Sequence, residues 1–330
     1  MTSTPHVVNR EAKGSPCEVR HLSKRYGTHT VVDDVTFSVP PNQVVGLIGP
    51  NGAGKTTTMK MLLGLVRPSG GDISLLGRTV GEPRWGDALH RVGSMIEAPP
   101  IYDRLTARQN LEYQALAVNA RIDDDEIDSL LRLVDLADRA DDRPRGYSLG
   151  MRQRLGIAIT LVGGPDFAIL DEPGNGLDPA GIIEIRTLMG RLPETGTTVL
   201  VSSHQLAEVQ QVCNQLIILA NGRTVAQGTT SEILSGRSRH VFHITVDDDD
   251  IPTAEHLLRS VSATTLDRSD ATFIVEPTRE TSGRDINQLL ATGGVYASAI
   301  SRPDVSLEEA FLALVQDPPT QHPTSETTTS

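Results

Sequence analysis

The residues QVVGLIG, Gln43–Gly49, run directly into GPNGAGKTT, Gly49–Thr57. The first stretch has the unbroken apolar character of a short buried strand. The second fits GxxxxGK followed by Ser or Thr, and it opens a helix near Gly54, which is the setting this pattern needs. Gly49, Pro50, Asn51, Gly52, Ala53 and Gly54 form a loop whose backbone N–H groups cradle phosphates, and the helix N-terminus adds partial positive charge. Lys55 is placed to reach the β and γ phosphates, the Thr56 hydroxyl to ligate Mg²⁺, and Thr57 completes the pattern. A chance glycine turn would lack the strand before it and the helix after it.

A second piece of the same site follows in FAILDEP, Phe167–Pro173. Four apolar residues put Asp171 at the carboxyl end of a buried strand, where doubly wound sheets bind ligands. Asp171 is expected to hold Mg²⁺ through water. Glu172, adjacent to it, is the candidate general base that polarises an attacking water.

Around these pieces the chain alternates strand and helix. CEVRHL and VVDDVTFSV flank KRYGTHT, which predicts antiparallel strands joined near Gly27. From about Thr106 to Val162 the pattern is helical: Thr106 and Gln109 have capping-box spacing, and Ile127, Leu130, Leu131 and Val134 repeat at helical intervals. Strands return in FAIL, in TTVLVS and in QLIILANGRTVAQG, whose Asn221-Gly222 pair suits a tight hairpin.

After Ser235 the order becomes strand (HVFHITV), helix (TAEHLLRSV), strand (TTLD), strand (ATFIVEP), helix (RDINQLLATG), strand (VYASAIS) and helix (SLEEAFLALV). That is a ferredoxin-like unit with one added helix. The expected domains are a flexible leader over 1–16, an α/β nucleotide-binding domain over 17–235, a small α+β domain over 236–316 and a polar, disordered tail over 317–330.

Composition narrows the function. The 330 residues carry a formal net charge of -12 without a compensating basic patch, which argues against a nucleic-acid partner. Cys17 and Cys213 have no CxxC or Cys/His spacing, so neither a disulfide framework nor a zinc site is expected. The N-terminus lacks the apolar core of a secretory signal. Leu155–Leu170, the most apolar stretch, is interrupted by Gly163, Gly164, Pro165 and Asp166 and is too broken to span a bilayer. The acidic run Asp247–Asp250 lacks the glycine and closing glutamate of a calcium loop and reads as a solvated turn.

YSLGMRQR, Tyr147–Arg154, stands between the two nucleotide motifs where ATP-binding cassette (ABC) ATPases have LSGGQ, and here the chain resembles that family. Ser148 and Gly150 match its serine and second glycine, while Tyr147, Leu149 and Met151 depart from it. Ser148 is a natural helix cap whose helix N-terminus can face an anion, and Gly150 lets backbone approach closely. In the family that anion is the γ-phosphate held by the opposite subunit. The SLGM variant is similar to bacitracin-resistance and lantibiotic-immunity subunits. Other landmarks fall in family order: Tyr26 at the adenine-stacking position, Asp178 in GNGLDP at the D-loop aspartate, and His204 in SSHQLAEV at the switch histidine, which in the family is catalytic and contacts the γ-phosphate.

Glu97, in MIEAPPIYDRLTARQNL, stands where most of the family has glutamine, a variant shared with lantibiotic exporters. A carboxylate can ligate Mg²⁺, but it cannot donate a hydrogen bond, and it adds repulsion toward phosphate.

The resemblance implies a P-loop α/β nucleotide-binding domain with an antiparallel β subdomain and a helical subdomain. It implies ATP and Mg²⁺ as ligands and an ATPase working at the cytoplasmic face of a membrane with a separate transmembrane permease. It further implies a head-to-tail homodimer, or a pair with a paralogous ATPase. Export of an antibiotic peptide or hydrophobic drug is the leading expectation, with nutrient import as the alternative. A soluble ABC ATPase of translation or chromosome maintenance is the rival from another class, but the chain has neither a second cassette nor a long coiled-coil insert.

Overall fold

The computed structural model describes residues 14–235, 241–261, 267–277, 281–302 and 311. They form two compact units that part between Thr230 and Ser231, a few residues before the change of character seen at Ser235.

In the first unit, β1 (Cys17–Tyr26) and β2 (His29–Val39) form the antiparallel pair expected around Gly27. Ser15, inside the expected leader, already donates to the carbonyls of Cys17 and Val39. β3 (Val44–Ile48) is buried at every residue and leads through the glycine-rich loop to α1 (Lys55–Leu62). Next come β4 (Gly70–Leu75), β5 (Arg78–Thr79), α2 (Trp85–Leu89) and β6 (Val92–Met95).

The helical segment follows as α3 (Ala107–Ala117), α4 (Asp124–Leu133) and α5 (Leu149–Leu161). Thr106 and Gln109 form the reciprocal capping box the spacing predicts. Asp123 caps α4, and three acidic residues in its first turn complement the helix dipole. Arg108 of α3 ties the two helices together through Asp128, at 2.6 Å.

β7 (Phe167–Asp171), α6 (Pro179–Arg191), β8 (Thr198–Ser203), α7 (Leu206–Gln210), β9 (Gln215–Ala220) and β10 (Arg223–Gly228) complete the unit. β9 and β10 are the hairpin predicted around Asn221-Gly222. One sheet has the order β2-β1-β4-β5 and is antiparallel, and the other has the order β10-β9-β3-β8-β7-β6. From β9 to β6 every pairing in the second sheet is parallel. β3, β7 and β8 are buried at every residue because both faces of such a sheet are covered. Met59, Met61 and Leu62 of α1 share one core with Val35 and Phe37 of the antiparallel sheet and with Leu47 and Ile169 of the parallel one. The helix that carries Lys55 and Thr56 is thereby fixed to both sheets.

α8 (Thr230–Ser235) begins at the boundary. The second unit then runs β11 (Phe242–Thr245), α9 (Ile251–Arg259), β12 (Asp267–Ser269), β13 (Thr272–Val275), α10 (Gly283–Thr292) and β14 (Ala299–Ser301). Its sheet order, β12-β13-β11-β14 with antiparallel pairings, is that of a ferredoxin-like unit. Ile244, Leu258, Phe273, Ile286 and Leu290 pack together between its sheet and helices. Residues 1–13, the tail over 317–330 and all of the expected last helix but Phe311 lie outside the described residues.

Candidate nucleotide site

Because β3, β6, β7 and β8 are parallel, their carboxyl ends face the same way. β3 brings the glycine-rich loop to that end, β6 brings Glu97, β7 brings Asp171 and Glu172, and β8 brings Ser202, Ser203 and His204. Ligands of open α/β sheets bind at this end.

Two loop glycines are required by the space around them. A Cβ on Gly49 would meet the Leu219 carbonyl oxygen at 2.4 Å, and Gly54, at φ 96°, lies against Val31 in a left-handed conformation that L side chains rarely adopt. Lys55 is buried, and its Nζ donates to the Gly49 carbonyl at 2.8 Å and to Pro50 at 3.4 Å. The ammonium is thereby folded over the loop.

Thr56 Oγ1 donates to Asp171 Oδ2 at 2.9 Å. A hydroxyl and a carboxylate are the hard oxygen donors Mg²⁺ takes, and two protein donors leave positions for phosphate oxygens and water. Among the described residues no group of three or more His, Cys, Asp or Glu is placed to hold a metal alone. The Thr56–Asp171 pair fits a hard cation that also takes phosphate oxygens.

Glu172 sits between two potential cations. Its Oε1 lies 3.5 Å from Lys55 Nζ and its Oε2 lies 2.9 Å from His204 Nδ1. Its backbone is left-handed, at φ 47°, a conformation that costs a β-carbon residue of the order of 1 kcal/mol and persists where surroundings fix it. One of those surroundings is Ser202, which the sequence reading did not select. Ser202 Oγ donates to Asp171 Oδ1 at 2.5 Å and accepts from the Glu172 N–H at 2.9 Å. It lies opposite Asp171 in the β7–β8 register and is fully buried. The available signal was the Ser202-Ser203 pair ending an apolar strand beside FAILDEP.

Replacing Ser202 by Ala leaves a buried carboxylate oxygen and an N–H without their partner, a loss of about 1–3 kcal/mol. Ser202→Ala is expected to lower the melting temperature by several degrees and to slow ATP hydrolysis. Calorimetry and phosphate release measure the two effects, and wild-type values in both would show that Ser202 does not position the carboxylates.

The remaining candidates are placed as follows. Tyr26 ends β1 half exposed, with Lys24 Nζ 4.8 Å from its ring centroid. Ser148 caps α5 by accepting from the Met151 N–H at 3.2 Å. Gly150 and its neighbour Leu149 lie against Leu177 and Gly176, in the loop that leads to Asp178. Asp178 caps α6 through the Gly181 N–H at 3.0 Å, with Pro179 at the first helical position. The helix capped by Ser148 and the loop before Asp178 thus adjoin each other within one chain. Glu97 follows β6 in a left-handed conformation, φ 66°, and its carboxylate is bonded to Lys60 of α1 at 2.5 Å. The Lys60 ammonium is held charged by that hydrogen bond first, and further by the charges of Glu97 and Asp171.

The family model described as ABC transporter matches residues 32–175. The chain is 36% identical over 299 residues to the bacitracin transport ATP-binding protein BcrA of Enterococcus faecalis, spanning 90% of this chain and 96% of that one. It is 40% identical over 212 residues to the lantibiotic transport ATP-binding protein SrtF of Streptococcus pyogenes, spanning 64% of this chain and 89% of that one. A solved structure of the ATP-binding subunit of an ABC transporter superposes with a TM-score of 0.60 at 34% identity, covering 67% of this chain and 93% of that one.

Proposed function

Because the chain belongs to the ABC transporter ATP-binding family, we propose that it powers export of an antibiotic peptide or a hydrophobic drug. As a member it binds and hydrolyses ATP and works with membrane permease components. Among the described residues no helix is long and apolar enough to cross a membrane, which fits a translocation path supplied by a separate subunit at whose cytoplasmic side this chain docks.

The observation that supports the site assignment is the convergence of Lys55, Thr56, Asp171, Glu172 and His204 at one end of the parallel sheet. In this reading the loop 49–54 and Lys55 bind the phosphates, and Tyr26 stacks on the adenine. Thr56, and Asp171 through water, would hold Mg²⁺, whose charge would offset that of the phosphate oxygens when bound. Glu172 accepts a proton from the attacking water as the bond from the γ-phosphorus to the bridging oxygen breaks, giving ADP and phosphate. His204 orients Glu172. Ser148 and Gly150 serve the nucleotide of a second copy in a head-to-tail pair, with Asp178 at the junction.

Export and substrate class draw support from the bacitracin and lantibiotic transport relatives. A strain deleted for this chain is expected to become more sensitive to such a peptide. Unchanged sensitivity together with lost uptake of a nutrient would favour the import reading.

The permease is proposed to dock beside Glu97. Tyr102, in the loop that follows, and Tyr113 and Leu116 on α3 are all exposed; the two rings meet edge to face at 4.6 Å. Pro99 and Pro100 restrict the loop between. Glu97→Ala is accordingly expected to lower transport more than basal ATPase. Glu97→Gln, which retains an oxygen for the metal, should keep much of the basal rate. Liposomes carrying the permease with each form give the comparison, and unchanged transport by Glu97→Ala would leave Glu97 an ordinary surface carboxylate.

A further inference from the structure

Glu97 brings a negative charge to the end of the sheet assigned to phosphates, and like charges repel there. The counter-charge is built into α1. Lys60 follows Thr56 at i+4 spacing, so the two side chains leave the same face of the helix about one turn apart. Thr56 is bonded to Asp171, and Glu97 Oε1 lies 2.5 Å from Lys60 Nζ. Across β6 and β7, Met95 pairs with Leu170, and Glu97 and Glu172 each follow two residues further along their own strand ends. Both glutamates depart from their strands in the left-handed conformation. The Lys60–Glu97 pair is therefore a neighbour of the Thr56–Asp171 pair along α1, near enough that the Asp171 charge acts on the Lys60 ammonium.

We propose that Lys60 is a positioning residue for the nucleotide site, holding the Glu97 carboxylate on the Thr56 face of α1 and cancelling its charge. Glu97 then stands beside a polyphosphate without weakening its binding. The inference rests on the reading of this sheet end as the ATP site; it does not require Glu97 to touch the metal. With the Lys60 side chain 29% and the Glu97 side chain 66% exposed, the pair contributes little to folding. Its effect is on the ligand, because each of the several negative charges of ATP acts on an unbalanced carboxylate.

The test is equilibrium titration of the full chain with fluorescent trinitrophenyl-ATP and Mg²⁺. At low ionic strength Lys60→Met is expected to weaken binding about tenfold, and the loss should shrink with added salt as the Debye length shortens. Lys60→Arg, which keeps the charge and the ion pair, should stay within about threefold of wild type. Combining Lys60→Met with Glu97→Gln makes the pair neutral again and should restore binding to within about threefold. Wild-type affinity in Lys60→Met overturns the proposal. So does a loss that is insensitive to salt, or one that persists undiminished in the double variant. Lys55→Ala, titrated alongside, separates the two levels: if it too binds like wild type, the ATP-site assignment itself has failed.

Discussion

Glu172→Gln is expected to hydrolyse ATP about 10²- to 10⁴-fold more slowly than wild type while still binding it, a rise of roughly 3–5 kcal/mol in the barrier. The substitution keeps the shape of the side chain and its reach toward Lys55 and His204, at 3.5 and 2.9 Å in the native chain. It removes the capacity to take a proton from water. Phosphate release under saturating Mg-ATP measures the rate, and a variant that turns over at the wild-type rate would assign the base to another group.

Lys55→Ala is expected to weaken Mg-ATP binding by about 10²-fold or more, since hydrogen bonds to a charged group contribute roughly 1.5–3 kcal/mol each and the ammonium can serve more than one phosphate oxygen. Lys55 is 5% exposed and its Nζ bonds the loop carbonyls of Gly49 and Pro50. Circular dichroism should therefore accompany the titration, to confirm that the cradle remains folded when the ammonium is gone. A folded Lys55→Ala with wild-type affinity would mean that the loop 49–54 is not a phosphate site.

The parts of this site that are legible in the sequence are those written in continuous stretches. The strand, loop and helix from Gln43 to Thr57, and the strand end at Asp171 and Glu172, each carry their own local pattern of apolar run and polar terminus. The Thr106–Gln109 capping box and the Asn221-Gly222 hairpin are legible for the same reason, since their partners are three residues apart or adjacent. Ser202 and Lys60 are different. Their partners are 31 and 37 residues away in the chain, and only the β7–β8 register and the face of α1 bring them together.

Conformation was equally hidden at Glu97 and Glu172, because nothing about a glutamate announces a positive φ. The segment between α1 and α3 also escaped a local reading. β6, Val-Gly-Ser-Met, has too few apolar residues to stand out, and its place is set by pairing with β7. In the second unit the order of elements was legible from alternating strand and helix patterns, whereas the placement of β11 between β13 and β14 follows from pairing over long separations.

The central claim is that Lys55, Thr56, Asp171 and Glu172 form an ATP site that a second copy of the chain completes through Ser148. Light scattering during size-exclusion chromatography of Glu172→Gln in saturating Mg-ATP tests it most directly, with the nucleotide in the eluted peak identified. The account predicts a particle of twice the 35.5 kDa of one chain, carrying unhydrolysed ATP. A single-chain particle without nucleotide under the same conditions would contradict it.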